Sequence, residues 1–192
     1  MARPKEFDRD AALQAAVNVF CDRGFEGTST EDLLHAMCIS RQSLYDTFGD
    51  KRQLYLESLQ QYVATSIAEQ IRALNSEATV LAGLEAALLA FASKSGKSGT
   101  PGCMGIGATC EFGMSDPDVT ALIATADKAL QASLERRIAD GKSSGEISPE
   151  VDPRAAAHFI KATFAGIKLA ARGGAAVTSL HAIAQMALRS LK

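Results

Sequence analysis

Apolar residues recur along this chain at helical spacing. Leu13, Ala16, Val17 and Phe20 share one face of a segment over 8–23, with Asp8 placed to cap it and Gly24 to stop it. A shorter segment over 28–37 carries an inward stripe of Leu33, Leu34 and Met37, and Thr28 and Glu31 have the spacing of a capping box. After the tight Cys38-Ile39-Ser40, Ser40 can cap a third helix over 41–47, with Leu44 and Phe48 pointing inward. Asp50 can cap a much longer fourth helix that runs to about Leu74, with Leu54, Leu59, Val63, Ile67 and Ile71 as its apolar positions.

The second half continues the pattern. A fifth helix covers 79–94, and Lys94 to Gly102 reads as a loop in which Pro101-Gly102 suits a type II turn. The apolar stretch from Cys103 to Phe112 reads as helix despite its two glycines. Asp116-Pro117 and Asp152-Pro153 each place a capping residue before a proline at the first helical position. The helices they open run to about Lys142 and Arg172. Over 178–191, Leu180, Ile183, Ala184, Ala187, Leu188 and Leu191 form one clean face. There is no internal repeat and no convincing strand, so the expected fold is all-α with about nine helices.

Composition agrees. The 192 residues suffice for a sizeable core, alanine is abundant and proline scarce. Charge narrows the picture further. The formal net charge is −2, and within residues 1–52 the acids outnumber the bases. Binding to nucleic acid must therefore come from placed contacts and not from bulk charge. The opening Met-Ala-Arg-Pro-Lys-Glu lacks the apolar core of a signal peptide, and no apolar run approaches the ~20 residues that span a bilayer. A cytoplasmic protein with no membrane partner is expected. Cys21, Cys38, Cys103 and Cys110 show neither zinc spacing nor a CxxC pair and are expected as thiols. Three scattered histidines make no metal site, and no cofactor is expected; His35 and His181 are expected on the surface.

The most specific signal lies in residues 28–51. Two short helices joined by a tight turn and followed by a longer helix form the arrangement of a helix-turn-helix, whose second helix enters the major groove. With Leu44 and Phe48 inward, Arg41, Gln42, Ser43 and Tyr45 face out. Arginine can read guanine and glutamine adenine through paired hydrogen bonds. Thr28, Tyr45 and Thr47 can offer hydroxyls to phosphates, and Lys51 stands in the first turn of the next helix.

Phe20, Gly24, Thr28-Ser-Thr and Ile39-Ser-Arg-Gln-Ser-Leu-Tyr-Asp-Thr-Phe-Gly-Asp-Lys51 with Leu54 resemble the signature of the TetR (tetracycline-repressor-like) family. The resemblance covers about residues 7–55. It implies an all-helical dimer with a DNA-binding domain over 1–52 and a ligand-sensing and dimerisation domain over 53–192. It also implies phosphate contacts from Thr28, Ser40, Tyr45 and Lys51, base contacts from Arg41, Gln42 and Ser43, and a basic arm at Arg3 and Lys5. The chain departs from the family at Cys38, where glycine is usual and φ tends to be positive.

Farther on the resemblance is weaker. Ala162, Gly166 and Ala170 give the 153–172 helix a stripe of small residues suited to close helix approach, and with the last helix it can build the interface of a homodimer. Cys103 and Cys110, seven apart, would share a helical face: either a thiol site for electrophiles or two small buried hydrophobes, and the second reading is favoured. An apolar effector pocket can draw on Met104, Phe112, Phe159 and Phe164 beside them. The helix over 50–74 then offers a route from such a ligand to the DNA-binding head. An enzyme or simple carrier is disfavoured: no nucleophile–base pair, phosphate loop or metal cluster stands in the sequence. A ligand-responsive repressor on a palindromic operator is the leading expectation. An activator or a thiol-based sensor on the same fold is the alternative.

Overall fold

A computed structural model describes residues 7–95 and 102–192. Among these residues the chain forms nine helices and no strand. They are α1 (Arg9–Arg23), α2 (Thr30–Met37), α3 (Arg41–Phe48), α4 (Lys51–Leu74), α5 (Val80–Ser95), α6 (Met104–Phe112), α7 (Pro117–Ser143), α8 (Pro153–Arg172) and α9 (Val177–Arg189). The all-α expectation is met. Arg3, Lys5 and most of the expected loop, Pro101 included, lie outside the described residues.

The caps explain most of the helix starts. Asp8 accepts from the N–H groups of Asp10 and Ala11, Asp50 from Gln53, Asp116 from Asp118 and Val119, and Asp152 from Ala155. Each carboxylate satisfies a donor that the first helical turn leaves without a carbonyl. The capping box of α2 sits one residue later than the sequence suggests. Ser29, not Thr28, accepts from the N–H at the third helical position, and Asp32, not Glu31, reaches back to the Ser29 N–H. Thr28 is committed elsewhere, its hydroxyl donating to the Gly24 carbonyl at 2.6 Å.

The chain divides into two compact units. The first holds α1 to α3, α4 up to Ala64, α6, and α7 up to Ile123. Its core joins Leu13, Val17 and Phe20 of α1 to Leu33, Leu44 and Phe48 of the next two helices, Leu54 and Leu59 of α4, and Met104 and Ala108 of α6. The second holds the remainder of α4 and α7 with α5, α8 and α9. There Leu84 and Leu88 pack with Leu134, Ile138, Ile160, Ile167, Leu180 and Ala184. Phe91 meets Phe164 edge-on at 5.0 Å. His181 is not a bare surface residue: its Nε2 shares a hydrogen bond of 2.9 Å with the Ser93 hydroxyl, joining α9 to α5. Among the described residues no helix is long and apolar enough to cross a membrane.

Candidate nucleic-acid interface

The turn between α2 and α3 is made by Cys38, which adopts φ 53 and ψ 40. It is the only residue other than glycine with positive φ among those described. A side chain in this left-handed region costs about 1–2 kcal/mol. The Ile39 N–H donates to the Leu34 carbonyl and the Cys38 N–H to that of His35, so the helix end is hydrogen-bonded in spite of the strain. Ser40 then caps α3, its hydroxyl accepting from the Ser43 N–H at 3.1 Å and sharing a bond of 2.9 Å with the Ser43 hydroxyl.

On α3, Leu44 and Phe48 are buried and root the helix in the first unit. Arg41, Gln42 and Tyr45 are exposed, Tyr45 at 47%, while Ser43 and Thr47 are partly covered. Of the four residues expected to face out, Arg41, Gln42 and Tyr45 are thus exposed and Ser43 is half-buried. The Arg41 guanidinium pairs with the exposed carboxylate of Glu31 on α2. Lys51, at the start of α4, holds its ammonium 4.2 Å from the centre of the Phe25 ring.

Thr28 requires a correction. Only 1% of it is accessible, and its hydroxyl closes the loop after α1, so the expected phosphate contact through it is not available. Arg52, next to Lys51, is also engaged: Asp116 and Asp118 at the start of α7 both accept from it at 2.9 Å. These bonds, that to Asp118 foremost, raise the guanidinium pKa. Asp32 moves the other way. Hydrogen bonds from the Ser29 hydroxyl and backbone, then from Arg23, hold its carboxyl down to about 2.

Two contributors lie beyond the local pattern. Glu31 is ten residues from Arg41 and meets it only because the turn folds α2 against α3. Glu111 of α6 accepts from the N–H groups of Phe25 and Glu26 at 2.9 and 3.2 Å. No spacing in the sequence signals a bond across 86 residues.

The residues expected to hold a ligand are distributed. Cys103 precedes α6 in extended backbone and is partly buried; Met104 is buried and Phe112 half-buried in the first unit. Cys110 is exposed, which overturns its favoured reading as a buried hydrophobe. In the second unit Phe164 is buried against Phe91, but Phe159 is 48% exposed. Among the described residues no group of His, Cys, Asp or Glu could hold a metal ion.

Residues 12–58 match the family described as bacterial regulatory proteins, tetR family, and residues 81–187 match the tetracyclin repressor-like C-terminal domain. The chain belongs to the TetR family. It is a DNA-binding transcriptional regulator. Among TetR-family relatives, the HTH-type transcriptional repressor ComR of Escherichia coli (strain K12) is 30% identical over 189 residues, covering 97% of this chain and 90% of the relative. A cysteine-substituted form of the TetR-family regulator CifR, solved with 26-base-pair double-strand operator DNA, is similar over 100% of both chains, with 26% identity and a TM-score of 0.84. The Bacillus subtilis regulator FadR in complex with stearoyl-CoA shares the TetR fold at a TM-score of 0.73 and 18% identity, covering 96% of this chain and 97% of that one.

Proposed function

We propose that this chain is a cytoplasmic, ligand-responsive repressor that binds a palindromic operator as a homodimer and leaves it when a small-molecule effector binds. The observation that carries this reading is the outward face of α3. Arg41, Gln42 and Tyr45 stand clear of a buried Leu44–Phe48 root, directly after the tight turn at Cys38 that joins α3 to α2. Arg41, Gln42 and Ser43 take the base edges; Ser40, Tyr45, Thr47 and Lys51 take phosphates. In this reading residues 1–52 make the DNA contacts and residues 53–192 sense and dimerise, with α6 contributing to the compact unit that carries the helix-turn-helix. The names of similar proteins support the same direction: ComR is a repressor, and CifR was solved on operator DNA.

Dimerisation is supported by the apolar face of α8 and α9. Phe159 and Leu169 on α8 and Ile183 and Met186 on α9 are exposed, and a side chain added at Gly166 would meet nothing within 4 Å. A two-fold copy would cover this face and set two heads on half-sites about one helical turn apart. The experiment is a mobility shift with duplexes selected by the protein from a randomised library. Retention of a two-fold symmetric sequence supports the reading; absence of any preferred duplex overturns it.

A thiol-sensing variant of this function has one observation in its favour, the exposure of Cys110. If it holds, Cys110→Ser abolishes release by an electrophile such as N-ethylmaleimide and leaves operator affinity intact. Release of that variant at wild-type electrophile concentrations eliminates it.

A further inference from the structure

We infer that Glu111, on α6, is a positioning residue for DNA binding: it fixes the segment that seats Lys51 for its phosphate contact. The inference rests on the proposed role of Lys51 and extends it to a residue outside the helix-turn-helix.

The chain of contacts starts at the end of α1. Gly24, at φ +72, turns the backbone so that the next two N–H groups point the same way. Both donate to one carboxylate, Phe25 to one Glu111 oxygen and Glu26 to the other. A Cβ at Gly24 would lie 2.5 to 2.8 Å from that carboxylate and push it aside, and the positive φ itself favours glycine there. The loop is closed from its other side by the Thr28 hydroxyl on the Gly24 carbonyl.

Held at its backbone, Phe25 has its ring fixed as well. The ring packs edge-on against Tyr55 at 5.0 Å and lies tilted against Phe112 at 5.7 Å. Phe112 follows Glu111 on α6, so one helix grips both the backbone and the ring of Phe25. The remaining face of that ring carries the Lys51 ammonium at 4.2 Å. An aromatic face attracts a cation without neutralising it, so the ammonium keeps its full charge for a phosphate while its long side chain is held in place.

Simple charge arithmetic predicts the opposite sign. Removing an acid from a DNA-binding unit should strengthen binding. If Glu111 positions Lys51, its removal weakens binding instead. The test uses the full chain and a duplex selected by the wild-type protein from a randomised library. Affinity is measured against salt concentration for wild type, E111Q, K51A, the double variant and F25L. K51A should flatten the plot of log affinity against log salt by about one per protomer. E111Q and F25L should weaken binding and lose a share of the same slope, and E111Q should add nothing in the K51A background. A wild-type slope in E111Q or F25L, or an undiminished E111Q effect on top of K51A, overturns the inference. A wild-type slope in K51A overturns instead the phosphate role of Lys51 on which it rests.

Discussion

The α2–α3 pair and the α8–α9 pair handle their apolar residues in opposite ways. On the first, the large aliphatic residues Leu33 and Leu44 are fully buried, and what faces out is Arg41, Gln42 and the amphipathic Tyr45. On the second, the same helices that bury Ile160, Ile167, Leu180 and Ala184 leave Leu169 64% and Met186 62% exposed. A surface of the first kind is satisfied by water until a polar partner such as DNA displaces it. A surface of the second kind is a cost until another apolar surface covers it. One chain thus presents one face suited to nucleic acid and one suited to protein.

The largest effect should come from reversing the second face. Leu169→Glu leaves the monomer intact, because the side chain touches solvent there, but buries an unpaired carboxylate in a two-fold interface. Such a charge costs about 3–5 kcal/mol, enough to dissociate the dimer at micromolar concentration. Sedimentation should show a dimer for wild type and a monomer for the variant, with operator affinity falling in parallel. A variant that still sediments as a dimer moves the interface elsewhere. Leu188 is no substitute in this experiment, being buried within its own unit's core, where a charge would unfold the chain.

The first face gives the next largest effect. Arg41→Ala should cost about 1–3 kcal/mol of operator affinity and relax preference at one base pair of each half-site. Binding titrations against single-base variants of the selected duplex read this directly, and an unchanged preference would show that Arg41 reads no base. Glu31→Gln sharpens the comparison. It releases Arg41 from its carboxylate partner and removes a negative charge, so affinity for poly(dI-dC) should rise.

The helices were legible in the sequence because their signals are local. Asp8, Asp50, Asp116-Pro117 and Asp152-Pro153 cap or open helices by chemistry that needs only the next three residues, and Leu44 with Phe48 fixes which side of α3 is outward. The α2 box slipped because Thr28-Ser-Thr30 followed by Glu31-Asp32 offers the same motif in two registers. The choice between them is made by the Gly24 carbonyl that claims Thr28. Glu111 was not legible at all, since nothing in the pattern of 103–112 says which backbone that helix will meet. Nor could periodicity alone divide the apolar positions of α8 between the core and the exposed face, because both recur at the same spacing.

Cys38 gives a smaller effect of the opposite sign. Glycine at this position would shed the left-handed strain of about 1–2 kcal/mol and give back part of it as unfolded-state entropy. A net gain of about 1 kcal/mol is expected for Cys38→Gly, seen as a rise of a few degrees in Tm. A fall in Tm would mean that the bond from the Cys38 thiol to the His35 carbonyl outweighs the strain.

The smallest effect separates the two regions by pH. Asp32 titrates at about 2 because the Ser29 hydroxyl and N–H and then Arg23 favour its charged form. In the unfolded chain its pKa returns to the ordinary carboxylate range near 3.8. A group whose folded pKa is depressed stabilises the fold above the unfolded value, and the stabilisation is lost as pH falls through the interval between the two. Asp32→Asn keeps an oxygen for the Ser29 box but loses the charge, so the variant should melt below wild type at neutral pH. The gap should hold down to about pH 4 and close progressively toward pH 2. Leu169→Glu should follow a different course, its dimer strengthening as the new carboxylate protonates. Parallel melting and sedimentation across pH 3 to 7 would record both trends. An Asp32→Asn gap that persists unchanged at pH 3 would show that the carboxylate's charge contributes nothing to the start of α2.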